Sequence, residues 1–361
     1  MRRALIAASA ASLVVACSLI TSFDGIDPRP PSDPDGGDAA ADAAVPVDAG
    51  CQRLRWPDRP LGVDPGGDLG DLTSAVTQLR ILDPVAQGKS QGFDLDGLCT
   101  CPERPACRGK EQCDLDSGVD NVSDSLFKTI AALGLSLDDT GLRIGIQSGA
   151  YGVVVRLSGY NGKPDDPEVK VAVYNAFDVN GEGGVPREDG TDEWTVDTES
   201  LLDNRFPAYF ASKAYVTAGV LVAPLTRLVI RARLPVSKSA FALFEMDLRN
   251  AFLVARLGAR TGAGGIALED GRIAGRIPVA ALLAQAMRSG ACVDSGIYQN
   301  VRPAVCDARD LPLDPAKDGR DEACDALSFG FGFVASAARI GRDAGTRTDT
   351  SPCPVVVDQC P

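Results

Sequence analysis

The sequence predicts a mainly β protein: an antiparallel β-sandwich, jelly-roll or concanavalin-like, with a few appended helices and disulfide-rich loops. Two observations carry that expectation. Short runs alternate apolar with polar residues, the period of two that turns one face of a strand toward a core, and clusters of Gly, Asn, Asp and Pro separate them as turns do. Helical periodicity is confined to a few stretches, while cysteines crowd the connecting segments.

The first element from the N-terminus stands outside that fold. Arg2 and Arg3 precede a short alanine-rich apolar run that ends at Cys17, the charged and apolar regions of an export signal. The run is too short to cross a bilayer as a helix, which takes about 20 residues. Val14-Val15-Ala16-Cys17 resembles the lipobox of bacterial lipoproteins. The resemblance implies cleavage after residue 16, a diacylglyceryl thioether on Cys17 and acylation of the new amino terminus, and several acyl chains together anchor a protein stably. Ser18, where an Asp would signal retention, favours the outer membrane by analogy with enterobacterial sorting. Residues 17–50 are the next element, a lipidated start and an acidic tether. Its stretch 24–50 holds seven aspartates and five prolines among alanines and glycines, too little apolar surface to fold. Residues 51–361 then read as a single globular, disulfide-braced domain.

Within that domain the clearest strands are Val153 to Ser158, Val169 to Tyr174 and Leu228 to Leu234, each alternating. Phe241 to Leu248 and Ala251 to Leu257 read as a strand pair turning at Arg249-Asn250, and shorter candidates lie at 76–82, 142–147, 215–222 and 272–277. Ser123 suits the cap of a helix running to Gly134, and Pro278 suits the first turn of a helix over Val279 to Ser289. A third helix is expected over Ala323 to Ala338, weakened by Gly330 and Gly332.

Composition excludes several chemistries. The chain has no histidine, so it has no Ser-His-Asp or Cys-His machinery of its own and no imidazole-bound zinc. A net charge of −13 repels nucleic acid, whose binding needs clustered Lys and Arg. Setting Cys17 aside leaves ten of eleven cysteines, an even set that an oxidising compartment would pair.

Five aspartates are the candidate metal ligands. Asp94 and Asp96 lie in a D-x-D-G run, and Asp114, Asp116 and Asp120 in D-x-D-x-G-x-D. Carboxylates on alternate residues beside a turning glycine can converge on a hard cation, and calcium is the one available outside the cytoplasm. The spacing resembles calcium loops of extracellular repeat domains without their full twelve-residue frame, and Asp-Gly also serves ordinary turns. Between these runs Cys99, Cys101, Cys107 and Cys113 suit disulfides better than a thiolate metal site, since paired C-x2-C knuckles are absent. Three other places carry clusters of acidic residues. A second acidic loop, Asp178 to Trp194, offers carboxylates and an indole either for a ligand or for packing. Phe244 to Asn250 resembles the E-x-D-x-x-E strand of a laminarinase-like family of sandwich glycosidases. The resemblance implies catalytic glutamates, but Asn250 stands where the second one belongs. Cys306 to Cys324 reads as a solvated acidic loop, and Cys353 and Cys360 as pins for the tail.

With its signal, its Cys17-to-Gly25 start, its Asp/Ala/Pro tether and its Phe93 to Cys101 segment, the chain resembles a group of predicted lipoproteins of myxobacteria and relatives. That resemblance implies the anchor and no particular chemistry. The expected function is a non-enzymatic envelope lipoprotein that binds a glycan or protein ligand, or serves structurally, with calcium as a stabiliser. The alternative is a carboxylate-dependent hydrolase acting on polysaccharide.

Overall fold

The computed structural model describes residues 53–62, 66–80, 91–100, 106–108, 114–115, 118–132, 139–181, 183–235, 241–261, 264–346, 353–354 and 356–360. The signal, Cys17, the tether to residue 50, Cys51, Cys101, Cys113 and Asp116 lie outside the described residues. The elements run β1 (Leu72–Arg80), α1 (Ser123–Ala132), α2 (Asp139–Gln147), β2 (Gly152–Ser158), β3 (Asp166–Phe177), β4 (Glu193–Asp197), β5 (Leu201–Leu202), β6 (Phe206–Pro207), β7 (Tyr209–Thr217), β8 (Val220–Pro235), β9 (Phe241–Thr261), β10 (Gly265–Pro278), α3 (Val279–Arg288), α4 (Gly296–Asp307), β11 (Ala326–Ala337) and β12 (Arg339–Gly345).

The mainly β class with few helices holds. Within it, eight strands pair antiparallel in the cyclic order β1-β2-β3-β7-β8-β9-β10-β11 and back to β1. Pairing of β3 with β7, Val171 opposite Ala211, closes the ring. The facing surfaces expected of a sandwich are therefore the inside of one closed sheet, an arrangement that leaves its strands no free edge. β4 continues from the far end of β3, and β12 runs parallel to β4 on its outer side.

Alternation decides which side chains go inside. Val153, Val155 and Leu157 of β2, Val169, Val171 and Val173 of β3, and Leu327, Phe329, Phe331 and Phe333 of β11 share one buried apolar cluster with inward residues of the other ring strands. α2 touches both β1 and β8, on opposite sides of the ring, so it lies across one open end, with Leu142 and Ile146 buried. α1 sets Phe127 edge-on to Phe329 and Phe244, at 5.3 and 6.0 Å between ring centres. Large side chains and helices thus fill the lumen.

Four expected elements are corrected. The candidate strand 215–222 is the end of β7 and the start of β8, paired antiparallel around a turn at Ala218-Gly219. The candidate strand 142–147 is part of α2, because Leu142 and Ile146 are four apart and share the buried face while Ile144 faces solvent. The helix expected over Ala323 to Ala338 is strand β11, where glycines 330 and 332 let the Gln91 segment approach closely. The two strands around Asn250 are one, β9. Asn250 takes a left-handed φ of 48°, and the register to β10 slips there, which marks a bulge and not a turn. α4 was not anticipated.

Outside the ring two apolar patches are covered. Trp194 of β4, 1% exposed, packs against β2 where Gly152 has no side chain; a Cβ there would stand 2.6 Å from the indole. The indole is a core residue and not a glycan platform. Gly152→Ala is expected to cost about 1–3 kcal/mol as an overpacked site, read from the shift of the urea midpoint. The second patch, Tyr215, Val222, Phe252, Val254 and Ala274, lies under the chain's first described segment. There Trp56 stacks on Phe252 with ring centres 3.6 Å apart, and the Tyr215 hydroxyl donates to the Pro57 carbonyl at 2.6 Å. Disulfides Cys107–Cys324, Cys292–Cys353 and Cys306–Cys360 tie loops and tail to this frame, and Cys99 is also disulfide-bonded. Cys353 and Cys360 pin the tail as expected, but Cys306 and Cys324 reach different partners.

Candidate functional site

Phe93-Asp94-Leu95-Asp96 crosses the second patch, bending from Leu95 onward, and its alternation of apolar and acidic residues separates two jobs. Phe93 and Leu95 pack on the barrel wall, which leaves Asp94 and Asp96 to the other side. There they meet Asp120, whose backbone N–H donates to the Phe93 carbonyl at 3.1 Å in a short antiparallel bridge. One carboxylate oxygen from each of Asp94, Asp96 and Asp120 lies within 4.8 Å of the other two.

Backbone amides hold the carboxylates in place. Asp120 Oδ2 accepts from the N–H of Leu95 at 2.6 Å and of Asp96 at 3.2 Å. Asp94 Oδ1 accepts from Gly97 N–H at 2.6 Å, and Asp96 Oδ1 from Leu98 N–H at 2.7 Å. Gly97 has φ of 75°, and a Cβ there would meet the Arg55 guanidinium at 2.7 Å, so turn and close approach both call for glycine. The second oxygens of Asp94 and Asp96 are buried without a hydrogen bond. The nearest cation is Arg55, with Nε 3.6 Å from Asp94 Oδ2.

Burial raises the proton affinity of all three. Asp96 is pushed up to about 8 by burial, with Asp114 and Asp94 adding repulsion against the backbone bond from Leu98. Asp120 is held well above the usual carboxylate range by burial and then by Asp96 and Asp114. Asp94 is also raised by burial, although Gly97 N–H and Arg55 oppose it. Such a cluster is comfortable only when protonated or when a cation supplies the missing charge.

The fold thus brings together three of the five anticipated ligands. Asp114 is near enough to repel them but is engaged by Thr100, whose N–H donates to its Oδ2 at 2.7 Å and whose hydroxyl donates to its Oδ1. Asp116 lies outside the described residues. Of the neighbours that brace the site, Arg276 was not singled out from the sequence. Asp310 and Asp318 belong to the Cys306 to Cys324 stretch read as solvated, a reading that the burial of Asp318, 11% exposed, corrects. Arg276 of β10, 2% exposed in its side chain, donates to both oxygens of Asp318 at 2.7 and 2.6 Å, to Pro312 O at 2.6 Å and to Leu95 O at 3.1 Å. Asp310 accepts from both the N–H and the hydroxyl of Ser328. An arginine on a strand and two aspartates in an acidic loop carry no local mark of this role.

The other candidates are accounted for internally. Asp192 accepts from the N–H of Arg187 and Glu188 and from Asn180 Nδ2, so its loop closes on itself; Glu182 lies outside the described residues. On β9, Glu245 pairs with Arg231 at 2.9 Å and Arg288 at 3.0 Å, and Asp247 with Arg227 at 2.8 Å and Arg249 at 2.9 Å. Asn250, in the glycosidase-like pattern, instead points Nδ2 toward Leu313 O at 3.4 Å. In the 306–324 segment Asp314 caps a turn at Ala316 N–H, and Glu322 pairs with Lys317.

No protein-family model, curated protein or solved structure matches the chain.

Proposed function

We propose that the chain is a lipid-anchored envelope protein, held through Cys17 in the outer membrane, whose barrel is a non-enzymatic module that binds a glycan or protein ligand or serves structurally. The observation that carries the non-enzymatic reading is the state of the β9 acids. Glu245, the one glutamate of the glycosidase pattern that the chain keeps, and Asp247 beside it are each fixed by two arginines on the barrel's outer wall, and Asn250 stands in the second glutamate's place. A carboxylate whose oxygens are bound by guanidinium groups is occupied, unsuited to attacking a sugar. The lumen, filled by Phe329, Phe331 and Phe333 among others, favours work done on the outer surface. Disulfides support an exported location, and no helix among the described residues is long and apolar enough to cross a membrane, in keeping with attachment by lipid.

One observation favours the hydrolase alternative: converging carboxylates with raised proton affinity at Asp94, Asp96 and Asp120 are what a general acid needs. Release of reducing ends from laminarin or other polysaccharides, lost in Asp96→Asn, would establish that alternative. The anchor has its own test. In an expressing bacterium the protein is expected to sediment with outer membranes and take up labelled palmitate, and Cys17→Ser is expected to abolish the label and release the chain to the soluble fraction. Unchanged sedimentation and no palmitate in the parent protein would overturn the anchor.

A further inference from the structure

We infer that Asp94, Asp96 and Asp120 form a binding site for a hard divalent cation, calcium by its chemistry, which fastens the chain's first described segment to the barrel wall. The inference stands apart from the anchor and from any ligand of the barrel.

Two independent observations carry it. The first is geometric: three carboxylate oxygens from two loops lie within 4.8 Å of one another. Oxygens sharing one calcium ion at 2.3–2.6 Å stand at most about 5 Å apart, so the three meet that limit where they are. Magnesium, bound at about 2.1 Å in a strict octahedron, would need them drawn closer when they face one another across the ion. The second is an unmet need. The Asp94 side chain is 0% exposed, yet its Oδ2, like that of Asp96, is buried without a hydrogen bond. A buried carboxylate oxygen without a donor is costly, and the Arg55 Nε, 3.6 Å away, is beyond hydrogen-bond reach. A cation bound among the three carboxylates supplies the charge that such oxygens lack. The donor set is oxygen only, which selects a hard ion over zinc or copper.

The location gives the ion a task. Asp94 N–H donates to Leu54 O at 2.9 Å, Arg55 faces Asp94, and Trp56 stands edge-on to Phe93 with ring centres 5.6 Å apart. The first segment and the aspartate loop therefore cover the Val222, Phe252 and Val254 patch together. Without a cation, ionising the three acids forces them apart; with one, their charge holds the loop closed over that patch.

Trp56 supplies a reporter, because a terbium ion at the aspartates would be close enough for its indole to sensitise emission. Full-length protein titrated with terbium is expected to give saturable luminescence on indole excitation. Calcium should displace the terbium at micromolar to millimolar concentration, and magnesium should do so less well. Asp94→Asn and Asp120→Asn keep a backbone-accepting oxygen but remove charge, and each is expected to weaken binding at least about tenfold, as affinity follows ligand charge. Asp96→Asn, at the least buried of the three, is the second variant should either of those fail to fold by near-UV circular dichroism. Asp189→Asn, on an exposed loop, should bind as the parent does, and Trp56→Phe should lose the emission but keep calcium binding by calorimetry. No saturable terbium or calcium binding by the parent protein, or equal binding by the folded aspartate variants, would overturn the inference. Equal weakening by Asp189→Asn would do so too, since that marks diffuse attraction to an acidic surface.

Discussion

Arg276→Met is expected to destabilise the protein by about 3–5 kcal/mol, the usual consequence of removing one member of a buried ion pair. The guanidinium is 2% exposed and Asp318, its partner, 11%. Methionine fills much of the volume but leaves a carboxylate whose proton affinity burial already raises, with Arg276 the group opposing that rise. It also strips the hydrogen bonds to Pro312 O and Leu95 O. Urea denaturation at neutral pH measures the loss. The double variant Arg276→Met/Asp318→Leu separates the two contributions. Replacing a whole buried pair with apolar groups is often close to neutral, whereas each unsatisfied buried carbonyl costs about 1–3 kcal/mol. Recovery of roughly half the stability is therefore expected, the remainder belonging to the carbonyls. Full recovery would mean that the pair alone mattered. A loss under about 1 kcal/mol in the single variant would mean that the site is wetter than its burial indicates. Because Leu95 lies between Asp94 and Asp96, the same substitution is expected to loosen the aspartate loop, seen as weaker terbium binding than in the parent.

Arg276 also marks where sequence reading stops. It sits in Arg272-Ile273-Ala274-Gly275-Arg276, a strand pattern with outward arginines. One of these lies against the Phe93 ring at 5.8 Å, while the other is entombed under two loops from distant parts of the chain. Nothing local separates them, since the difference is made by residues 95, 312 and 318 folding over one of the two. The aspartates were legible for the opposite reason: spacing on alternate residues with a following glycine is a local property, and the fold preserved it. Only the joining of Asp120 to the first pair needed tertiary structure, through the bridge from Phe93. Likewise β2, β3 and much of β8 declared themselves by alternation, because each has one face on the core. The segment 142–147 misled because Leu142, Ile144 and Ile146 satisfy a period of two, while a helix needs only Leu142 and Ile146. Ring closure was invisible from the start. The inward face of a barrel and of a sandwich have the same alternation, and what distinguishes them is one pairing, β3 with β7, across an intervening β4-to-β6 excursion.

The pH dependence of stability offers the second large effect, centred on Asp310. Its carboxylate receives both polar groups of Ser328, and Ser328 in turn accepts from Val122 N–H at 3.1 Å at the start of α1. Burial nonetheless pushes Asp310 up to about 7, against those two bonds, with Asp114 adding repulsion. An unfolded aspartate titrates near 3.9. Between about 4 and 7 the native state therefore holds a proton on this group that the unfolded state has lost, so the contribution of Asp310 to stability falls as pH rises through that window and levels off above it. A shift of that size corresponds to about 4 kcal/mol for a fully enclosed group. Asp310 keeps part of its surface in solvent, which brings the expected loss to roughly 2–3 kcal/mol. The direction is opposite to that of the tail, where Arg302 and the Tyr298 hydroxyl hold Asp358 below the usual range and favour folding at higher pH. Asp310→Asn isolates the group, because asparagine resembles the protonated acid and its amide can still meet Ser328. In a chelator, to keep cations from the nearby aspartates, parent and variant should be about equally stable near pH 4.5. By pH 8 the variant should be the more stable by roughly 2–3 kcal/mol, a difference of several degrees in Tm. Parallel curves from pH 4 to 8 would show that Asp310 titrates as a solvated carboxylate, and the acidic loop around it would then owe its shape to Arg276 and the Cys107–Cys324 disulfide alone.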